Sequence, residues 1–240
     1  MGRVKNRHTL WLYDDTWGLV GSHYKDHNCT TQNEFIEQAI RFYCGYLDAG
    51  QDGTYLPDTL SAVLEGALGA LGDRLDDDAC VCVDVGQNQI WAAKHLPMKH
   101  GRFLTTGGLG TMGYGLPAAL GAQMAAPDDL VVCISGDGSL QMSLNEMATI
   151  KAHQLPVKII LLNNECLGMV RQLQHTYCAD QFYAVDMPGN PNFLRLAEAY
   201  GFANFRIEDP DDILPVLQKA LANGQPTLID CQVSKADWVL

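Results

Sequence analysis

The chain has 240 residues, 47% of them hydrophobic, which suffices for one large α/β domain with a substantial core and a short appendage. Its net charge of −12 argues against a nucleic-acid surface or a polybasic membrane patch. No apolar stretch reaches the roughly 18 residues of a membrane span, and Met1-Gly2-Arg3-Val4-Lys5-Asn6 leads into no signal-peptide core, so a soluble, cytoplasmic protein is expected.

Residues 1–30 are aromatic, polar and aperiodic. A helix is predicted from Thr31, which caps it, with Glu34 completing a capping box and Phe35, Ala39, Phe42, Tyr43 and Tyr46 at helical spacing. Gly50-Gln51-Asp52-Gly53 breaks that helix and marks a boundary between a linker-like segment, 1–52, and a globular domain, 53–240. Pro57 then opens a helix over 57–74, followed by a strand over 79–85, a short helix over 87–95 and a short strand over 103–105. A helix over 114–125 leads to a strand over 130–135, and a helix over 139–153 to a strand over 157–162. The last elements are a helix (193–200), a strand (203–207), a helix (210–221) and a strand (227–233). This alternation predicts a doubly wound, mostly parallel α/β sheet with helices on both faces.

The most telling residues stand at the ends of two β-branched-rich runs, Leu130-Val131-Val132-Cys133-Ile134-Ser135 and Val157-Lys158-Ile159-Ile160-Leu161-Leu162. Gly136-Asp137-Gly138 follows the first and Asn163-Asn164 the second. In neighbouring parallel strands both would lie at the carboxyl edge, where such sheets bind ligands. A carboxylate and an amide oxygen converging beside glycines suit Mg²⁺ carrying a diphosphate. Taken singly, an Asp between glycines and an Asn pair after a strand are also ordinary turn residues. Gly108-Leu109-Gly110-Thr111-Met112-Gly113 has the form G-x-G-x-x-G, but a dinucleotide reading would put its acidic residue, Asp137, between two glycines and leave Asn163-Asn164 unexplained. The eight cysteines form no C-x-x-C pair, and Cys80, Cys82 and Cys133 fall in predicted buried strands, so reduced thiols are expected. His95, His100, His153 and His175 show no metal spacing and read as surface or capping residues.

Together with those strand ends, three stretches resemble the cofactor-binding C-terminal domain of acetolactate (acetohydroxyacid) synthases, which use thiamine diphosphate (ThDP) and Mg²⁺. They are Asp84-Val85-Gly86-Gln87-Asn88-Gln89-Ile90-Trp91-Ala92-Ala93, the run from Gly107 through Ala119, and Leu167-Gly168-Met169-Val170-Arg171-Gln172. The likeness covers roughly residues 55–240. It implies side-chain oxygens of Asp137 and Asn164 and the main-chain carbonyl of Cys166 on the metal; a Cys166 thiolate is the wrong donor for a hard cation. It implies that Gly86, Gln87, Gly136, Gly138 and Ser139 meet the diphosphate, with backbone N–H groups of Gly138 and Ser139 at a helix start. The Gly110 carbonyl would accept from the cofactor's 4′-amino group, and Met112 would hold its bent shape. Leu167, Gly168 and Met169 complete the cofactor contacts, while Met169, Val170 and Leu173 form the substrate wall.

Two positions depart from the family pattern. Asn88 replaces a histidine common there, and Leu173 a tryptophan that shapes the pocket for the second 2-oxoacid. No catalytic residue is assigned, because the glutamate that activates the cofactor belongs to a pyrimidine-binding domain, and neither Glu34 nor Glu37 sits in a suitable motif. The expectation is therefore a half-site: a fragment, a split-gene product or a natural subunit. It would act on pyruvate and a second 2-oxoacid with a pyrimidine-binding domain or subunit, and self-associate as a homo-oligomer. Two further readings stay open, a two-chain ThDP-dependent 2-oxoacid decarboxylase, for which Arg171 would bind an anionic substrate tail, and a non-catalytic remnant.

Overall fold

A computed structural model describes residues 62–98, 101–235 and 238–239. The helix expected from Thr31, the boundary near Asp52 and the start of the helix expected at Pro57 lie outside the described residues. In chain order the elements are α1 (Ala62–Gly72), β1 (Cys80–Val83), α2 (Gln87–His95), β2 (Arg102–Leu104), α3 (Gly115–Ala125) and β3 (Val131–Gly136). There follow α4 (Asp137–Gln141), α5 (Glu146–Ala152), β4 (Lys158–Asn163), α6 (Gly168–Tyr177), α7 (Phe193–Ala199), β5 (Ala203–Ile207), a 3₁₀ turn (Pro210–Asp212), α8 (Ile213–Ala222) and β6 (Thr227–Gln232).

The six strands form one sheet in the order β2-β1-β3-β4-β6-β5, every pair parallel. Strand alternation explains why its interior reads as continuous apolar runs: successive side chains enter opposite cores. Val81, Val83, Val132, Ile134, Ile160 and Leu162 pack with Leu64, Leu68 and Leu71 of α1, Trp91 of α2 and Leu217 of α8. Cys80, Cys82, Val131, Cys133, Ile159 and Leu161 pack on the other face with Leu116 of α3, Met147 and Ile150 of α5 and Phe193 of α7. Burial pushes the Cys82 thiol up to about 12 and raises Cys133 well above the usual range, so both sit in the core as neutral thiols. Among the described residues no helix is long and apolar enough to cross a membrane.

The chain leaves β1 for β2 on one side and returns as β3 on the other, a reversal that places a crevice at the carboxyl ends of β1 and β3, beside β4. One predicted element is corrected here. The helix expected over 139–153 begins earlier, at Asp137, and is broken in two between Gln141 and Glu146. Across Met142–Asn145 the backbone tightens to three-residue bonds, Met142 N–H to Ser139 O and Ser143 N–H to Leu140 O among them. Ser143 and Asn145 favour such turns over helix interior, and the break buries both Leu140 and Met147.

Lys158, on the strand edge opposite the crevice, is 2% exposed. Its ammonium donates to Asn223 Oδ1 at 2.8 Å, Gln225 O at 2.7 Å and Asn223 O at 3.2 Å, all uncharged. Burial pulls its ionisation down from 10.5 to about 8. A lysine depressed in the folded state contributes stability above its unfolded value, and that contribution disappears as pH falls through the folded value. The stability gap between wild type and Lys158→Met should therefore shift in favour of wild type as pH rises from about 8 to about 10. Urea midpoints at each pH measure it; a gap constant with pH would remove Lys158 as the cause.

Candidate functional site: a metal and diphosphate cleft

Three strand ends build one cleft of about 180 Å³. From β1 come Val85, Gly86 and Gln87; from β3 Gly136, Asp137, Gly138 and Ser139; from β4 Asn164, Cys166, Leu167, Gly168 and Met169. Gly110 and Met112 arrive from the loop before α3. Thus every residue expected at the cofactor lines the same cleft. Of the expected substrate wall, Met169 and Val170 line it but Leu173 does not. Leu173 is 49% exposed, three residues and most of a helical turn beyond Val170 on α6.

Asp137 lies on the floor, 1% exposed. Burial raises its carboxyl from 3.8 to about 6, against a hydrogen bond from Asn190 and local backbone N–H groups that favour the anion. The two asparagines divide their tasks. Asn163 is structural: its amide donates to buried Asp230 at 3.1 Å, and its oxygen accepts from Glu165 N–H at 3.3 Å. That bond supports Glu165 at φ +53, a left-handed conformation rare for a side chain of this kind. Asn164 turns inward, its Oδ1 accepting from Cys166 N–H at 3.2 Å and its amide donating to Gln87 Oε1 at 3.3 Å.

The loop carrying Cys166 is braced by residues 185–187. Leu167 N–H donates to Val185 O at 2.7 Å and Met187 N–H to Glu165 O at 2.9 Å, around the antiparallel bridge Cys166–Asp186. In that pairing the bonded groups belong to the neighbours, so the N–H and C=O of Cys166 itself turn away from 185–187. Its N–H meets Asn164 Oδ1, which puts its carbonyl on the same side as that amide. Burial pushes the Cys166 thiol up to about 11, with the Asp137 charge adding to it, so sulfur stays protonated. The donors available are thus one carboxylate, one amide oxygen and one main-chain carbonyl, a set of hard oxygens that fits a small divalent cation. Among the described residues no cluster of three or more His, Cys, Asp or Glu is placed to hold a metal.

Two glycines are required for close approach. At Gly168 a Cβ would lie 1.9 Å from Gln87 Oε1 and 2.8 Å from Asn164 Nδ2. Gly86 has φ +147, and its Cβ would lie 2.4 Å from Asn88 Oδ1. Asn88, in place of the family histidine, turns its amide to Asp84 O at 2.7 Å.

Three residues that the sequence left without a task support the cleft. Asp84, fully buried, accepts from Val85 N–H at 2.8 Å, Gly113 N–H at 2.9 Å and Gly115 N–H at 2.8 Å, which ties the loop of Gly110 and Met112 to the end of β1. Gln172 on α6 accepts from Gln87 Nε2 at 3.1 Å and from Val239 N–H at 3.0 Å. Asn190 donates to Asp137. Only Asp84 carried a signal, a lone acid near the end of a β-run, two residues before a glycine. Arg171 is committed elsewhere: its guanidinium lies 4.1 Å from the Phe182 ring centroid and 5.2 Å from that of Trp238, and donates to Lys235 O. His175 stacks on Trp238 and lies against Asp180, an exposed pair, in keeping with its reading as a surface histidine.

The family described as thiamine pyrophosphate enzyme, C-terminal TPP binding domain, matches residues 84–231. The chain is 47% identical over 164 residues to an acetolactate synthase large subunit of Pyropia yezoensis, an overlap of 68% of this chain and 28% of that protein. It is 44% identical over 173 residues to the acetolactate synthase isozyme 2 large subunit of Escherichia coli (strain K12), 72% of this chain and 32% of the relative. An acetolactate synthase of Arthrospira platensis is 45% identical over 159 residues, 66% of this chain and 28% of the relative. The chain thus spans about a third or less of the length of these relatives. Matched over the strands and loops that build the cleft, it belongs to the thiamine pyrophosphate enzymes, as their C-terminal TPP-binding domain, whose cofactors are thiamine diphosphate and a divalent metal, typically Mg²⁺.

Proposed function

We propose that this chain holds the metal and diphosphate end of ThDP in an acetolactate-synthase-like enzyme, which decarboxylates pyruvate and joins the two-carbon remainder to a second 2-oxoacid. The observation that carries the reading is the convergence of Asp137, Asn164 and the Cys166 loop at two adjacent strand ends, in a chain whose relatives are named acetolactate synthases. Asp137 and Asn164 would give side-chain oxygens to Mg²⁺, and Cys166 its carbonyl. Gly86, Gln87, Gly136, Gly138 and Ser139 would line the diphosphate. Gly110 and Met112 would hold the cofactor's ring system, Leu167 and Gly168 would close the floor, and Met169 with Val170 would face substrate. Bound there, ThDP supplies the electron sink that makes loss of CO₂ from a 2-oxoacid feasible. The chain's own residues bind, orient and exclude water; the activating glutamate would come from a pyrimidine-binding domain or partner subunit.

The commitment of Arg171 to Phe182, Trp238 and Lys235 favours this reading over a decarboxylase that needs that guanidinium for an anionic substrate tail. Mixing the 240-residue chain with the pyrimidine-binding domain of an acetolactate synthase should yield acetolactate from pyruvate, whereas either alone should be slower by about 10²-fold or more, as for a lost acid–base group. Colorimetric acetoin assay reads it. Full turnover by the chain alone would remove the need for a partner.

A further inference from the structure

Asp137, Gln141 and Asn190 form a closed ring of hydrogen bonds at the floor of the cleft. Gln141 stands one helical turn after Asp137, and its Nε2 donates to the Asp137 carbonyl at 3.1 Å. The same Nε2 donates to Asn190 Oδ1 at 2.9 Å. Asn190 Nδ2 in turn donates to Asp137 Oδ2 at 2.5 Å. Side-chain amides are ordinarily ambiguous between their two orientations. Here they are not, because a main-chain carbonyl only accepts. It obliges Gln141 to present nitrogen, so Asn190 must present oxygen to Gln141 and its NH₂ to the carboxylate. Turning either amide over would set two acceptors or two donors against each other.

The ring commits one particular carboxylate oxygen. Local backbone N–H groups also bear on the carboxylate, but Oδ2 alone takes a side-chain hydrogen bond, from Asn190, so Oδ1 is the less encumbered oxygen for a cation and one-oxygen ligation is favoured. Mg²⁺ takes six ligands in a tight octahedron and suits single carboxylate oxygens, whereas Ca²⁺ takes six to eight and readily binds both oxygens of one carboxylate. We propose that Asn190, oriented by Gln141, is a specificity-determining positioning residue that restricts Asp137 to one-oxygen ligation and so favours Mg²⁺ over Ca²⁺ in this cleft. The inference rests on the Mg²⁺–ThDP reading above. It adds to the hard-oxygen ligand set a selection among hard cations, made by a residue 53 positions from the ligand it controls.

The test is calorimetric titration of the full 240-residue chain with Mg²⁺ and, separately, Ca²⁺ in the presence of ThDP, comparing wild type with Asn190→Ala and Gln141→Met. Outer hydrogen-bond partners of metal ligands are commonly worth about 10–100-fold in affinity. In Asn190→Ala the Mg²⁺ affinity should fall about 10-fold or more, while Ca²⁺ affinity holds or rises, so the ratio of the two dissociation constants narrows by at least that factor. Gln141→Met, which frees the Asn190 amide to turn while preserving length, should narrow the ratio in the same direction and serves if Asn190→Ala fails to fold. Equal losses for both metals, or an unchanged ratio, would overturn the proposal, since a merely structural residue would weaken both alike. A wild-type chain that binds neither metal with ThDP would overturn the cofactor reading itself, a different outcome from equal losses in the variants.

Discussion

Replacing Asp137 by Asn should abolish metal-dependent ThDP binding while making the cofactor-free chain more stable at neutral pH. Binding would lose the one charged side chain lining the cleft, so its affinity should fall by about 10²-fold or more, close to 3 kcal/mol. Stability moves the other way because of the sign of the shift. Burial raises the Asp137 carboxyl from 3.8 to about 6, so the folded state prefers the protonated form. A carboxyl raised in this way contributes stability below its unfolded value, and that contribution is lost as pH rises through the folded value. Above pH 6 the buried anion therefore costs up to about 2–3 kcal/mol, at about 1.4 kcal/mol per unit. Asn, the same size and uncharged, removes that cost. The denaturation midpoint of Asp137→Asn should exceed wild type at pH 7–8, and the difference should close as pH falls from about 6 towards about 4. Calorimetry with and without EDTA reads the binding, and urea titration the stability. Equal ThDP affinity in both proteins would take Asp137 out of the metal site.

Asp84→Ala should be the more damaging change to folding. Three backbone N–H groups, of Val85, Gly113 and Gly115, lose their acceptor at once, at a position with no exposure. Bonds to a carboxylate contribute about 1.5–3 kcal/mol each, and a buried donor left without a partner carries its full desolvation penalty. Some relaxation and water entry are expected, so a net loss of about 3–5 kcal/mol is reasonable, a large share of the ~5–15 kcal/mol that holds a typical domain together. Asp84→Asn, which keeps an acceptor oxygen but turns an NH₂ towards one of the same N–H groups, should fall between. Hydrogen exchange at Gly113 and Gly115 is the direct readout. Unchanged protection there in Asp84→Ala would mean that the loop is held by its own packing.

Gly115 shows how tightly this corner is made. A Cβ there would meet Asp84 Cβ at 2.9 Å and Asp84 N at 3.0 Å, so the loop is drawn close enough to the end of β1 for a carboxylate to reach both glycine amides. The Gly108–Gly113 run, which has the form of a dinucleotide fingerprint, thus serves instead to carry Gly110 and Met112 over the cleft. Its own acidic partner is Asp84, which precedes it in the chain.

Much of this protein is determined by local pattern. The continuous apolar runs along Cys80–Val83, Val131–Gly136 and Lys158–Asn163, whose successive side chains point to opposite faces, require two cores and a sheet covered on both faces. Parallel strands of similar length bring their carboxyl ends level, so Asp137 and Asn164, each one residue past its strand, have to meet at the same edge. Hence Asp137 and Asn164 can be paired from strand pattern, whereas Gly86, Gln87 and the residues from Cys166 to Met169 are named by resemblance to the acetolactate synthase domain. Tertiary structure decided what depends on loop paths and on how far each helix runs from the crevice. It placed Asn190 on Asp137 across 53 residues and Asp84 on Gly113 across 29, contacts that no spacing rule anticipates. It left Leu173 outside the cleft that Met169 and Val170 line, because Leu173, although on their side of α6, stands about 5 Å further along the helix axis at about 1.5 Å per residue. It also broke the helix after Asp137 at Met142–Asn145, where burying Leu140 and Met147 together outweighed the continuity of the helical ladder.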